Sequence, residues 1–349
     1  MRYSHFKLFE DEVQQLKKEI IPRIQNSSDE AVLNKVASLL RKTGVGRAVN
    51  RYFSVDEDAK RFINRLSQII IDFEVPIPTK VQFLREFGSK NMIKPNNLFD
   101  DSGQPRAMED WFEGSDMAKT MFKKMINDPG LIGKNAGEAG PGELAIACFH
   151  RDITAGTNPS NGYDLKWGSE EVEVKASTSK GSSSGGRWTA MNDYPLTTYA
   201  QSGESVLDPK KLPKSVSVTI PRGGKTKGIA EILNDPQFYK DPSKVLNPAQ
   251  QREIYGKILK LAYSNADDAV IQKAANAYPN ITLASVAPAA FDSYREKQQF
   301  TSMLLIRASG DTVTSIHFKA LATGIESFML KGIYMSGQQR GMSMQATLR

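Results

Sequence analysis

An aspartate, a glutamate and a lysine at positions 164, 173 and 175 have the types and spacing to hold a hard cation and act on a phosphate. Between them run apolar residues Leu165, Trp167, Val172 and Val174, alternating with Lys166 and Glu171 around Gly168 and Ser169. That alternation predicts a β-hairpin, with glycine first of two central turn residues, as a type II′ turn prefers. The register sets Leu165 opposite Val172, Lys166 opposite Glu171, Tyr163 opposite Val174 and Asp164 opposite Glu173. A four-residue loop over 167–170 would keep the same partners. Two carboxylates with β-carbons about 5 Å apart repel unless a cation lies between them or one is protonated. Converging oxygen ligands are what Mg²⁺ requires, with its other positions left for water and phosphate. Lys175, two residues along on the same side, could orient an attacking water, lower its pKa or stabilise charge on phosphorus. The plainer reading is a solvated hairpin face, and Lys166 opposite Glu171 reads as an ordinary surface ion pair.

Upstream, Pro141 to Arg151 is predicted to form a short helix with proline in its favoured first turn, and it carries Glu143. Glu138 competes for the same role, but Gly137, Gly140 and Gly142 disfavour a helix around it. His150 would share the Glu143 face two turns later and reads first as a surface residue, with support of the Glu143 site or a contact to DNA as the alternatives. Cys148 reads as a small core residue.

This pattern resembles the PD-(D/E)xK nuclease superfamily: an acid at one strand's end, Glu173-Val174-Lys175 on the next strand, and a helical glutamate before both. Tyr163 precedes Asp164 where the pattern has proline, and the likeness covers roughly residues 138–178. The resemblance implies that Asp164, Glu173 and Glu143 ligate Mg²⁺, which Mn²⁺ would replace, and that Lys175 assists the water. It implies a mixed α/β, restriction-endonuclease-like core, with a central mixed sheet flanked by helices and the runs near 302 and 314 in the same sheet. The activity implied is that of a metal-dependent endodeoxyribonuclease acting on DNA. The alternative is a nucleic-acid-binding or assembly protein that keeps the fold without turnover. A hydrolase using Asp164 and Glu173 as an acid–base pair fits poorly, because the carboxylates would lie closer than glycosidases place them and Lys175 would have no task.

The chain has 349 residues, 40% hydrophobic and 24% charged, a composition that supports a sizeable core. Its net charge of +7 tilts it toward a polyanionic partner. One cysteine excludes an intrachain disulfide and Cys-based zinc sites, and three dispersed histidines make a His-rich metal site a poor expectation. No apolar run is long enough to span a membrane and the first residues carry no signal-like core, so an intracellular protein without membrane contact is expected.

Helical periodicity from Phe9 to about Phe87, with capping signals at Ser27–Glu30 and Ser54–Glu57, predicts a helical domain over residues 1–100 that binds DNA or a partner. Residues 90–107, rich in proline and asparagine, read as a linker. The catalytic domain is expected over 101–349, with one helix over Met108–Ile126, a helical insertion at about 190–295, and strands over Phe300–Ala308 and Thr312–Phe318. Gly44, Gly46 and Arg47 lie in a Gly-hydrophobic-Gly turn that could face a DNA phosphate, or could be an ordinary helix–helix turn. Residues 177–186 read as a mobile loop, with Lys180, Arg187 and Trp188 as candidate nucleic-acid contacts. The basic run 222–227 resembles a phosphate loop but lacks its first glycine. Cutting both strands with one site per chain would suit a homodimer.

Overall fold

The structure is a computed structural model, describing residues 34–38, 40, 56–87, 91–127, 140–155, 162–178, 186–188, 194–214, 216–217, 227–321, 328–334 and 342–348. The chain divides into two compact units, one of residues 1–184 with 300–317, the other of 185–299 with 318–349. Both mix helices and strands, so the protein is mixed α/β. The expected boundary near residue 100 is not where contacts divide. One hydrophobic core runs continuously from Val36 and Phe62 through Phe122 and Ile146 to Val174 and Ile306. The expected insertion corresponds to most of the second unit, which also takes the C-terminal strands.

In the first unit, residues 34–38 are helical, followed by α1 (Asp56–Asp72) and α2 (Ile77–Glu86). In α1, Phe62, Ile63, Leu66 and Ile70 form one buried stripe. Pro76 and Pro78 start α2: Pro76 is its N-cap and Pro78 lies in its first turn, where a missing N–H costs nothing. The expected linker is packed structure instead. Pro95 opens a single turn, α3 (Pro95–Leu98), and Met92, Ile93, Leu98 and Phe99 are buried. The polar composition of this stretch hid four apolar anchors. A short strand, β1 (Arg106–Ala107), follows.

The helix expected over 108–126 is two, α4 (Met108–Trp111) and α5 (Asp116–Asn127). Gly114 marks the break: a β-carbon there would lie 2.4 Å from the Phe112 ring and 2.7 Å from Ala118. Ser115 restarts the helix, its Oγ accepting from Ala118 N–H at 3.3 Å. On α5, Met117, Ala118, Met121, Phe122, Met125 and Ile126 all face the core.

Next come α6 (Pro141–Phe149), β2 (Thr154–Ala155), β3 (Leu165–Trp167) and β4 (Glu170–Thr178). Residues 300–317 return as β8 (Ser302–Ser309) and β9 (Thr312–Phe318) after the elements of the second unit. The six-stranded sheet has the order β1-β9-β8-β4-β3-β2. β4 pairs parallel with β8 and antiparallel with β3, so the sheet is mixed, with the strands near 302 and 314 in it. The β8–β9 turn carries Gly310 at φ +57°, a conformation that favours glycine.

The second unit holds β5 (Gly186–Trp188), α7 (Pro195–Gln201), β6 (Val216–Ser217), β7 (Lys227–Gly228), α8 (Ile229–Asn234), α9 (Pro248–Ala262), α10 (Asp268–Ala275) and α11 (Leu283–Gln298). It closes with β10 (Phe328–Tyr334) and β11 (Met342–Leu348), a pair that periodicity did not predict. These form a three-stranded sheet in the order β10-β11-β5. Inside this unit the Gln251 amide donates to the Leu233 and Leu246 carbonyls, both at 2.9 Å, and accepts from Tyr278 Oη at 2.7 Å.

Candidate active site

The hairpin forms in the expected register: Leu165 pairs with Val172, Lys166 with Glu171 and Trp167 with Glu170. Gly168 has φ +60° while Ser169 does not share a positive φ, the sign pattern of a II′ turn. Gly168→Ala is expected to cost about 1 kcal/mol through left-handed strain alone, since a β-carbon there meets nothing within 4 Å. A urea titration checks this, and an unchanged midpoint would refute the strain argument. Leu165 and Val172 are fully buried, and Trp167 packs on the core with Phe99 stacked 5.5 Å away. Lys166 Nζ lies 2.9 Å from Glu171 Oε1 on the partly exposed face, an ordinary cross-strand pair.

The ladder departs from expectation at Asp164. Its N–H donates to the Val172 carbonyl at 3.0 Å, and its Oδ2 accepts from Val174 N–H at 2.7 Å. The strand therefore ends at Leu165, and the Asp164 carboxylate replaces a backbone carbonyl as the partner of β4. This fixes the carboxylate against the strand that carries the other two residues.

Glu173 is not on a wet face. Its side chain is only 5% exposed, and it forms an ion pair with Lys175, itself 23% exposed. A carboxylate this buried is tolerable because the ammonium lies beside it.

Glu143 enters from α6. The helix is anchored at its C-terminal end by Phe149, whose ring lies 4.9 Å from Phe87, 5.3 Å from Phe112 and 5.5 Å from Phe122. The Phe149 carbonyl also accepts from Met92 N–H at 3.0 Å. At its N-terminal end Gly142 lets the helix close on β4: a β-carbon would lie 3.0 Å from Ala176 and 3.4 Å from Val174. Buried Glu143 then reaches back so that its Oε1 accepts from Gly140 N–H at 2.9 Å. Gly140→Ala would place a β-carbon 2.6 Å from that oxygen and push Glu143 off its cap. Thermal melting should show a loss of about 1 kcal/mol, and no loss would mean the cap contributes nothing.

Electrostatics tie the three acids together. Burial raises the Glu143 carboxyl well above its ordinary pKa, Asp164 and Glu173 raise it further, and the Gly140 hydrogen bond and Lys175 oppose this. Burial, then the Glu173 charge, pushes Asp164 up to about 7, against the pull of Lys175 and the Val174 N–H. Asp164 and Glu173 are close enough to share a hydrogen bond. Among the described residues, no group of three or more His, Cys, Asp or Glu side chains stands ready as a metal cage. The donors present are hard oxygens, and Mg²⁺ is commonly held by one or two carboxylates with water and substrate phosphate completing the shell. A two-carboxylate site at Asp164 and Glu173 therefore fits such an ion.

His150 corrects the expectation of a surface histidine. It is buried at the C-cap of α6, and its Nδ1 accepts from Asp152 N–H at 3.1 Å, while burial lowers its pKa. Cys148 is buried as expected, its thiol pushed up by desolvation. Arg187 and Trp188 are not in a loop: β5 pairs antiparallel with β11, Arg187 against Gln345 and Trp188 against Met344. Of the expected mobile segment, Ser177 and Thr178 belong to β4. Gly44, Gly46, Arg47, Lys180 and Glu138 lie outside the described residues.

Comparison of the chain with protein-family models, with curated proteins and with solved structures yields no match. No helix among the described residues is long and apolar enough to cross a membrane.

Proposed function

We propose that the chain is a Mg²⁺-dependent DNA endonuclease whose site is of the PD-(D/E)xK type on a restriction-endonuclease-like core. The observation that carries this reading is the placement of Asp164 at the end of β3, held to β4 through Val174, with Glu173 and Lys175 paired beside it. Burial, and then the neighbouring Glu173 charge, raise Asp164 to about 7, a strain that a divalent cation would relieve. Asp164 and Glu173 would hold Mg²⁺, or Mn²⁺ in its place, with Glu143 as the third carboxylate. Once bound, the ion would supply Lewis-acid polarisation of the phosphate.

The chain's own residues carry the rest. Lys175, paired with Glu173, would position the attacking water and offset negative charge on phosphorus. Glu143, buried and capped on Gly140, would complete or tune the metal site. The positive net charge favours DNA as the partner, and a homodimer would cut both strands.

The test is incubation of purified protein with supercoiled plasmid and Mg²⁺, then Mn²⁺. Nicked and linear product that disappears in EDTA is expected. Failure to cut supercoiled, linear and single-stranded DNA with both ions would overturn the enzyme and leave the reading of a DNA-binding or assembly protein.

A further inference from the structure

Within the second unit, two irregular segments are clamped together. Asp208 N–H donates to the Phe238 carbonyl at 2.8 Å and Lys240 N–H to the Val206 carbonyl at 2.9 Å, with Leu207 and Tyr239 bridged between them. Leu207, Leu212, Phe238 and Tyr239 are buried beneath, and the Tyr239 hydroxyl donates to the Leu233 carbonyl at 2.6 Å. Pro209, Pro213, Pro236 and Pro242 stiffen the pair by fixing φ. The ledge so formed exposes mainly lysine. Residues 205–214 and 236–245 hold five lysines, Lys210, Lys211, Lys214, Lys240 and Lys244, all exposed, against two acids, Asp208 and Asp241. Both aspartates are engaged in turns, Asp208 accepting from Lys210 N–H and Asp241 from Ser243 N–H, each at 3.0 Å. Their ion pairs with Lys211 and Lys244 are long, at 3.6 Å, and open to water. The Lys211 and Lys240 ammonium groups also donate to the Tyr239 and Ser205 carbonyls, both at 2.8 Å, neutral acceptors that orient a charge without cancelling it. Among the described residues Lys210 and Lys214 have no ion pair.

Such a surface calls for an anionic partner, and its composition says which. The centre of a protein interface is rich in aromatic side chains and poor in lysine. Here the aromatic rings of both segments point inward, and Val245, 37% exposed, is the only large hydrophobic side chain left outside among the described residues. One valine also gives a bilayer little apolar area to bury. We propose that this lysine ledge binds the sugar–phosphate backbone of duplex DNA and holds it without regard to sequence. Lysine meets phosphate as a point charge, and contacts of that kind position a duplex rather than read its bases. With no aromatic ring exposed on the two segments, the ledge has no platform on which the bases of a single strand could stack. The proposal rests on the reading of DNA as the substrate, and the experiment separates the two.

The test is anisotropy of fluorescein-labelled duplexes of two unrelated sequences, titrated with the full chain in EDTA at several salt concentrations. A variant carrying Lys210→Gln and Lys214→Gln is expected to lower the slope of log affinity against log salt by about two, equally for both sequences. Lys210→Arg with Lys214→Arg should keep the wild-type slope, since arginine also meets phosphate. Lys273→Gln with Lys297→Gln removes two exposed lysines of the same unit outside the ledge and should also leave the slope unchanged. An unchanged slope in the ledge variant overturns the proposal, and so does an equal loss in the Lys273 and Lys297 variant, which would mean that only overall charge matters. If the ledge variant melts below wild type, each single substitution is titrated: a loss of about one in each supports the contact, and no loss in either overturns it. Wild type that ignores DNA but binds phosphatidylcholine vesicles only when they contain phosphatidylserine would overturn it in favour of a membrane. Plasmid cleavage by wild type in Mg²⁺ is scored separately. Cleavage with no slope change in the ledge variant leaves the endonuclease and removes the ledge, whereas a slope loss without any cleavage keeps the ledge and removes the endonuclease.

Discussion

Glu173→Ala and Lys175→Ala are each expected to lower plasmid cleavage by about two to three orders of magnitude, the usual effect of removing one electrostatic element from a preorganised site. The two should fail for different reasons. Glu173→Ala deletes a proposed Mg²⁺ ligand and leaves Lys175 without the carboxylate it pairs with. Lys175→Ala leaves the ligands but frees a carboxylate that is only 5% exposed, an uncompensated buried charge. Binding of Mg²⁺ to the native state alone raises the melting temperature by mass action, about 2.7 kcal/mol at a hundredfold excess over Kd. Glu173→Ala should lose that Mg²⁺-dependent shift, whereas Lys175→Ala should keep it or increase it, since removing a nearby positive charge favours the cation. The double variant should be little worse than the worse single one, because groups that act as a unit are not additive. Cleavage that survives both substitutions at near wild-type rate would remove these residues from the mechanism.

The reasons for such behaviour were only partly legible in the sequence. The hairpin was legible because strict alternation and a Gly-Ser turn admit one register that buries Leu165 and Val172 together. The end of β3 was not, because it depends on a competition that alternation cannot express: the Asp164 carboxylate outbids a backbone carbonyl for Val174 N–H. Glu173 looked solvated for a related reason, since period-two patterning assigns faces but does not say what covers them. The aromatic cluster of Trp111, Phe112, Phe122 and Phe149 joins α4, α5 and α6 across nearly forty positions, so stretches that look separable by composition share one core. Pro288 within α11 weakened the periodic signal there, although a proline one turn into a helix leaves only its first hydrogen bonds affected. Glu143 was reachable because a Pro-Gly-Glu start followed by an apolar run has one sensible helical reading, but its cap on Gly140 follows from a close approach that only coordinates reveal.

Asp164→Asn should make the protein more stable while removing the proposed DNA cleavage. Burial and the Glu173 charge raise the Asp164 carboxyl from its ordinary value of 3.8 to about 7. The folded state thus binds this proton more tightly than the unfolded chain does. The group is without penalty below about pH 4, its contribution falls as pH rises from there toward 7, and it levels off above. One proton corresponds to about 1.4 kcal/mol per pH unit, giving an upper bound near 4 kcal/mol over the window. Partial exposure of Asp164 and sharing of the burden with Glu143 bring the expected difference to about 2 kcal/mol. Asparagine keeps an oxygen for Val174 N–H and cannot ionise. In EDTA at pH 8 the variant should therefore melt several degrees above wild type, and at pH 4 the two should coincide. Adding Mg²⁺ should stabilise wild type at pH 8, where the paired carboxylates gain a counterion, and should leave Asp164→Asn nearly unmoved. Coincident melting of the two proteins at both pH values in EDTA would mean that Asp164 is not strained by its neighbours. The case for a cation between Asp164 and Glu173 would then lose its electrostatic basis.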